Sequence, residues 1–417
     1  MNTPASSLPL LRPGHGKPRG RSPFGASAPS IGLALVYGLV LMVWIAVGDG
    51  LPGGRWLAVH LFTLGVVTNL VLTFSEHFAR TVTRTKGERA AWWPIVTNLG
   101  ILLMLVGLPG GQRWLLATGA TIVTGSVFAA YLRIRRMRHD AIGARFAWIA
   151  RVYERAHGAF IHGAILGALM GIGVLSGAWY GAARIAHLHA NVLGWGGLTL
   201  LATLVFFGPT MARTRIEPGA DDSAARALRY GATGLSVAVV LLLLTGLAGV
   251  PGAVSRVGAA VALAVYAGAC LVVSVPVGRA VWRAKPTASR PLVVAVCVWL
   301  PLVAVADVVV VAAGAWRWLD ALGIAALAGI LAQAILATLI YLAPMLRGRS
   351  TEARESIRQR LETGMRIRAV TYQLGVLASV LGAARIGIEL PLATIGLSLI
   401  AATLLTTTSA ALWPSNA

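Results

Sequence analysis

The sequence predicts an all-α fold, a polytopic membrane bundle of about twelve transmembrane helices with both termini cytoplasmic. Three observations predict it. Hydrophobic residues make up 57% of the 417 positions and charged residues only 12%, half the roughly 25% of a soluble globular domain. Apolar runs of about 20 residues, the length a bilayer demands, recur along the chain. The cations between those runs alternate between sparse and dense, as they do when a chain crosses a membrane repeatedly. Mean hydropathy is +0.76, so lipid is the solvent for most of the chain.

Residues 1–30 are rich in Pro, Ser, Gly and Arg and are expected to form a disordered cytoplasmic tail. No small-residue cleavage site follows the first apolar run, which therefore reads as an uncleaved first helix. A single transmembrane domain is expected over 31–412. Its spans fall near 31–50, 57–79, 92–109, 113–132, 157–180, 187–211, 229–250, 256–278, 291–313, 318–346, 367–384 and 389–412.

Charge tests that count. Connections from odd to even helices carry one cation each: Arg55, Arg113, Arg184, Arg256, Arg317 and Arg385. The other 30 of the 36 lysines and arginines lie in the tail or the even-to-odd connections, as in Arg80–Arg89 or Arg133–Arg155. No cation falls in the hydrocarbon core. The basic side is then cytoplasmic, and the protein is expected in the plasma (inner) membrane. A formal charge of +22 alone would suit nucleic acid. Confined to alternate connections, it reads as an orientation signal facing anionic lipid, and no nucleic-acid partner is expected. Cys270 and Cys297 lie inside apolar runs without a CxxC pair and read as small buried hydrophobes.

Two short patterns recur. Leu201-Ala-Thr-Leu-Val-Phe-Phe-Gly-Pro209 in the sixth span matches Leu336-Ala-Thr-Leu-Ile-Tyr-Leu-Ala-Pro344 in the tenth. His60-Leu-Phe-Thr-Leu-Gly65 in the second span matches His189-Ala-Asn-Val-Leu-Gly194 in the sixth. Spans two, six and ten are four apart, so the chain is expected to form three four-helix arcs: 31–133, 157–280 and 290–412. Functional sites often lie between such repeats.

Topology sorts the histidines into layers. His60, His187 and His189 lie at the extracytoplasmic ends of helices two and six. Neutral imidazole ligates haem iron and copper, and an ionisable group in a membrane helix is a functional candidate. His187 and His189 are separated by about 200° around a helix, so only one can face His60. The repeat selects His189, with Asn191 as a supporting partner. His60 and His189 are the candidate metal ligands, and His187 is a further cofactor-binding candidate. Alternatively, these are interfacial histidines bonding headgroups or loop carbonyls.

The inner layer holds Glu76, His77, Glu154, His157 and His162. Glu76, His77, His157 and His162 are candidates for a proton or ion relay, or else part of a solvated polar rim. Asp307 is the only acid well inside an apolar run and reads as a relay group or a structural hydrogen-bonding group. Gln333 and Gln373 are expected to bond between helices. Gly163, Gly167 and Gly171 form a stripe that favours close helix packing.

The segment from His60 through Glu76-His77-Phe-Ala79 resembles the membrane module of actinobacterial copper-oxidase proteins. In those proteins the module accompanies a cupredoxin-type multicopper oxidase or NO-forming nitrite reductase domain. His187-Leu-His-Ala-Asn-Val-Leu-Gly-Trp195 and the stretch from Gln333 to Pro344 resemble it too. More distantly the chain is similar to NnrS-like proteins and to the twelve-helix catalytic subunit (subunit I) of haem–copper oxidases. That resemblance implies three arcs of four helices, haem and/or copper as cofactor, and His60 at the haem-ligand position. The chain departs from the oxidase pattern in having no histidine in helices seven to twelve. An oxygen-reducing binuclear centre is therefore not expected. With the chain ending at Ala417 after the last span, cupredoxin chemistry is expected from a separate redox partner. The functional expectation is a haem- or copper-binding membrane protein in electron transfer or NO- and copper-related redox metabolism, part of an oxidoreductase at most. The alternatives are a permease using Asp307 and a metal-free structural membrane partner.

Overall fold

The computed structural model describes residues 27–47, 52–85, 92–141, 145–247, 252–348, 350–385 and 391–412. Residues 1–26, most of the expected tail, lie outside the described residues. The described chain contains helices and no strands. Twelve rods follow one another: α1 (Ala28–Val47), α2 (Gly54–Thr83), α3 (Trp93–Gly107), α4 (Arg113–His139), α5 (Trp148–Gly171) and α6 (Gly177–Met211). The second half adds α7 (Ala220–Leu244), α8 (Gly252–Arg283), α9 (Arg290–Ala313), α10 (Trp316–Arg347), α11 (Met365–Ala383) and α12 (Leu392–Leu412). The chain is thus a multi-pass helical membrane protein whose surroundings are a lipid bilayer.

Nine of the rods are long and apolar enough to cross a membrane. The other three are α3, at 15 residues about 22 Å long; α5, which carries Arg151, Glu154 and Arg155; and α11, which opens with Arg366 and Arg368. Each rod still buries one side in the bundle, and short connections make consecutive rods antiparallel neighbours. A separate amphipathic helix, Thr351–Glu362, joins α10 to α11. Its Ser350 side chain accepts the N–H of Ala353 at 3.1 Å, a normal N-cap. It buries Ala353, Ile357 and Leu361 at four-residue spacing.

Helix ends differ from the apolar runs where glycine intervenes. The fifth span was expected at 157–180, yet α5 covers Trp148–Gly171. Gly173 takes φ +82°, and the N–H groups of Gly173 and Val174 close onto Met170 and Leu169 at 3.1 and 3.0 Å. That arrangement ends a helix. Ser176 is extended, and α6 starts at Gly177 rather than at 187. Helices also run past the hydrocarbon, as α4 does through Arg133–His139, because charged turns remain helical among headgroups. Ala28–Ser30, expected in the tail, already belong to α1.

One buried cluster joins α1 to α4, including Tyr37, Leu64, Ile101 and Val127, and takes in Phe160 and Trp195. A larger cluster fills the rest of the bundle. Polar ties cross both. Asn69 and Asn98 exchange amide hydrogen bonds at 2.9 and 2.8 Å between α2 and α3. Gln373 donates to Gln333 at 2.6 Å, Gln333 to the Leu292 carbonyl at 2.8 Å, and Trp299 to Gln373 at 2.9 Å. Every amide in this chain across α9, α10 and α11 has a partner, as buried polar groups require.

Three rods contain π-helical stretches: Leu61–Thr68 in α2, His189–Gly197 in α6 and Ala325–Ala332 in α10. They fall four rods apart. A glycine sits in each, and each meets the preceding rod. A methyl on Gly65 would lie 2.7 Å from Tyr37 Cβ on α1, one on Gly194 2.6 Å from Ala159 on α5, and one on Gly329 3.1 Å from Trp299 on α9. Such bulges re-aim the side chains around them and often mark functional sites. Gly65→Ala is expected to cost about 1–3 kcal/mol through overpacking, read as a lower melting temperature in detergent. Gly268→Ala, with nothing within 4 Å of the added methyl, is the neutral control.

Candidate metal centre and buried histidines

The start of α2 is set by Gly53 and Gly54, both with positive φ. One turn on, the Trp56 ring stacks on His60 with centroids 4.1 Å apart and planes at 19°. His60 Nδ1 lies 2.8 Å from the Trp56 carbonyl oxygen. A ring nitrogen that faces a carbonyl must carry the proton and donate it. In the neutral ring Nε2 of His60 is then unprotonated, with its lone pair available.

His187, in the last α-helical turn of α6 before the π-helical stretch, comes beside it. The two imidazole centroids are 6.4 Å apart with planes at 26°. His187 Nδ1 lies 2.7 Å from the Gly163 carbonyl on α5, to which it donates, and 3.2 Å from Asn191 Nδ2; in the neutral ring its Nε2 is likewise unprotonated. The glycine stripe of α5 seats this side of α6. A methyl on Gly167 would lie 2.7 Å from His187 Cε1, and one on Gly163 2.8 Å from Asn191 Cγ. Asn191 donates to the His187 carbonyl at 2.9 Å.

The expected pairing of His60 with His189 is therefore not the juxtaposition observed. His189 begins the π-helical stretch and turns toward α9, where its Nε2 lies 3.1 Å from Asp307 Oδ2. Its Nδ1 donates to the Ile185 carbonyl at 2.8 Å. Both side chains are buried. Because Nδ1 is committed, a single proton must lie between Nε2 and Oδ2, on one atom or the other. The pair is electrically neutral as a unit, the inexpensive way to hold a carboxylate inside a membrane. Tyr266 of α8 donates to the Leu193 carbonyl nearby at 3.1 Å.

The inner-layer candidates do not converge. Glu76 is 1% exposed and accepts from Arg80 at 3.2 Å and from two nitrogens of Arg133. Glu154 accepts from Arg138 Nε at 2.7 Å. His157 is fully buried: Nδ1 donates to the Tyr153 carbonyl at 2.7 Å, Ser75 Oγ lies 3.4 Å from Nε2, and the Trp195 ring meets it edge-on. His162 is exposed and donates to the Gly158 carbonyl at 2.8 Å. His77 lies edge-on to Phe78. Trp56 and Arg133 complete these arrangements without any motif that announces them, and Gly163 and Gly167 belong to a stripe that announced only close packing. The one available signal was the glycine stripe opposite His187.

Among the described residues, no three His, Cys, Asp or Glu side chains converge as a metal-holding group. A site at His60 and His187 therefore has two protein donors. Two metal–nitrogen bonds of about 2.0 Å and half of each ring would span the 6.4 Å between the centroids if both Nε2 atoms faced one ion. A porphyrin needs on the order of several hundred Å³. The best-formed cavities have about 10 and 20 Å³, and neither is lined by His60 or His187.

No family model and no curated protein matches the sequence. The structure resembles that of a haem–copper terminal oxidase, determined by cryo-EM as a dimer, with a TM-score of 0.64. The match covers 95% of this chain and 84% of that one at 12% identity. At that identity the likeness concerns the fold, and the fold is haem–copper oxidase-like.

Proposed function

We propose that this chain is a membrane redox protein that holds one copper ion between His60 and His187. The observation that carries the reading is the matched state of the two rings. Each donates Nδ1–H to a main-chain carbonyl, at 2.8 and 2.7 Å, and the ring centroids are 6.4 Å apart with planes at 26°. Histidines that ligate metals are oriented in this way by their second nitrogen. Imidazole suits copper, which stands highest in affinity among the common divalent first-row ions. When bound, copper supplies one-electron exchange.

The protein's own groups do the rest. The Trp56 ring covers one face of His60 and limits water access from that side. The Gly163 carbonyl fixes the His187 tautomer, and the Asn191 amide ties the adjoining backbone of α6. With two protein donors, a third position remains for a small ligand or for a donor from a docking protein. The charge pattern puts this end of the bundle at the extracytoplasmic face and both termini in the cytoplasm. A separate cupredoxin-type or other redox protein is then the natural electron partner. The resemblance to copper-oxidase membrane modules points to NO- or copper-related metabolism.

The test is metal analysis with an absorption spectrum of the detergent-purified full chain. The expected result is one copper per chain and no Soret band. A Soret band without copper would assign haem, and the absence of both would overturn the proposal. The buried His189–Asp307 pair supports a second reading, a proton-coupled permease. In that case Asp307→Asn abolishes substrate uptake into vesicles, and His60→Ala leaves it intact.

A further inference from the structure

We propose that the junction of α2, α3 and α4 binds one anionic phospholipid, whose phosphate sits against Arg80, Arg133 and Trp93. Among the described residues, the charges at this junction do not balance. The Glu76 carboxylate is buried and serves both Arg80 and Arg133. Two guanidinium groups against one carboxylate leave one unit of positive charge, which one phosphodiester neutralises.

Hydrogen-bond donors are in excess as well. Arg80 Nε and Trp93 Nε1 are both buried and have no acceptor among the described residues. Each such orphan costs on the order of 1–3 kcal/mol. They belong to one connected cluster, because the Arg133 guanidinium lies 4.4 Å over the Trp93 ring while it bonds Glu76. Phosphate oxygens accept several hydrogen bonds at once and pair well with guanidinium forks. The N-terminal end of α3 begins at Trp93, so its dipole adds to the same attraction.

The surroundings select a lipid over a soluble anion. Ile95, Leu99, Leu102 and Val106 are all exposed and form one stripe down α3, at offsets of four, three and four residues. The stripe starts beside Trp93 and runs about 17 Å into the bilayer, a track for one acyl chain beneath a headgroup held at the junction. Basic pockets between membrane helices bind anionic headgroups by this chemistry.

The test is native mass spectrometry of the delipidated full chain titrated with phosphatidylglycerol, phosphatidylcholine or inorganic phosphate. The expected result is one phosphatidylglycerol per chain, bound about tenfold more tightly than phosphatidylcholine. Trp93→Phe keeps an aromatic ring beneath Arg133 and removes the N–H together with part of the indole. It and Arg80→Gln are each expected to weaken phosphatidylglycerol about tenfold. Arg226→Gln, at an exposed arginine elsewhere, is expected to change nothing. Equal binding of the two lipids, or no effect of Trp93→Phe, would overturn the proposal. Displacement of phosphatidylglycerol by inorganic phosphate would also overturn it, by assigning a free-anion site.

Discussion

Replacing His187 with alanine is expected to remove bound copper, whereas replacing His189 leaves it in place. The two residues are two positions apart on one rod, yet they face different neighbours. His187 lies 6.4 Å from His60, and His189 bonds Asp307. Loss of a group that merely orients a ligand costs about 10–100-fold in metal affinity, and loss of one of two ligands costs more. His187→Ala and His60→Ala should therefore each weaken copper by more than about 100-fold in competition with a chelator. Gly167→Ala is the subtler probe. Its methyl would press within 2.7 Å of His187 Cε1 and should displace the ring, with a loss of about 10–100-fold. If His189→Ala loses copper and His187→Ala retains it, the repeat-based pairing of His60 with His189 is correct and the geometric one is not.

Asp307→Ala should destabilise the second half of the bundle more than Asp307→Asn does. It leaves His189 Nε2 buried with no partner, at a cost of about 1–3 kcal/mol. Asp307→Asn should cost about 1 kcal/mol or less, because an amide N–H can donate to the neutral Nε2 in place of the shared proton. Thermal unfolding in detergent separates the two variants. Equal destabilisation by Asn and Ala would mean that the pair is held as imidazolium and carboxylate, since an amide replaces the shared proton but not the negative charge. Copper content should be unchanged in Asp307→Asn, because the residue touches neither ring of the candidate centre.

The architecture was legible in the sequence because the bilayer imposes length and polarity on every span. Twelve apolar runs appear as twelve rods, and most ends differ by only a few residues. The exceptions have local causes. Gly173 ends α5 early, and α6 begins ten residues before the expected start at 187 because an amphipathic turn is helical without being apolar. His60 was legible as a candidate because an imidazole at the end of an apolar helix stands out. The choice between His187 and His189 was not. The motif match aligned His189 with His60, but a shared register along the chain does not determine which way a side chain points where a π-helical stretch begins. Asp307 lies 118 residues from His189, and Arg133 lies 57 from Glu76, beyond any local pattern. Gly167 shows the same limit: its spacing predicted close packing, and only the fold reveals that what packs there is His187.

X-ray absorption at the copper edge of the purified full chain reads whether one copper ion is shared by His60 and His187. The expected spectrum has a nitrogen first shell with the outer scattering of two imidazoles, reduced to one in His187→Ala at whatever occupancy remains. A sulfur first shell, or a spectrum that neither His60→Ala nor His187→Ala alters, would contradict it.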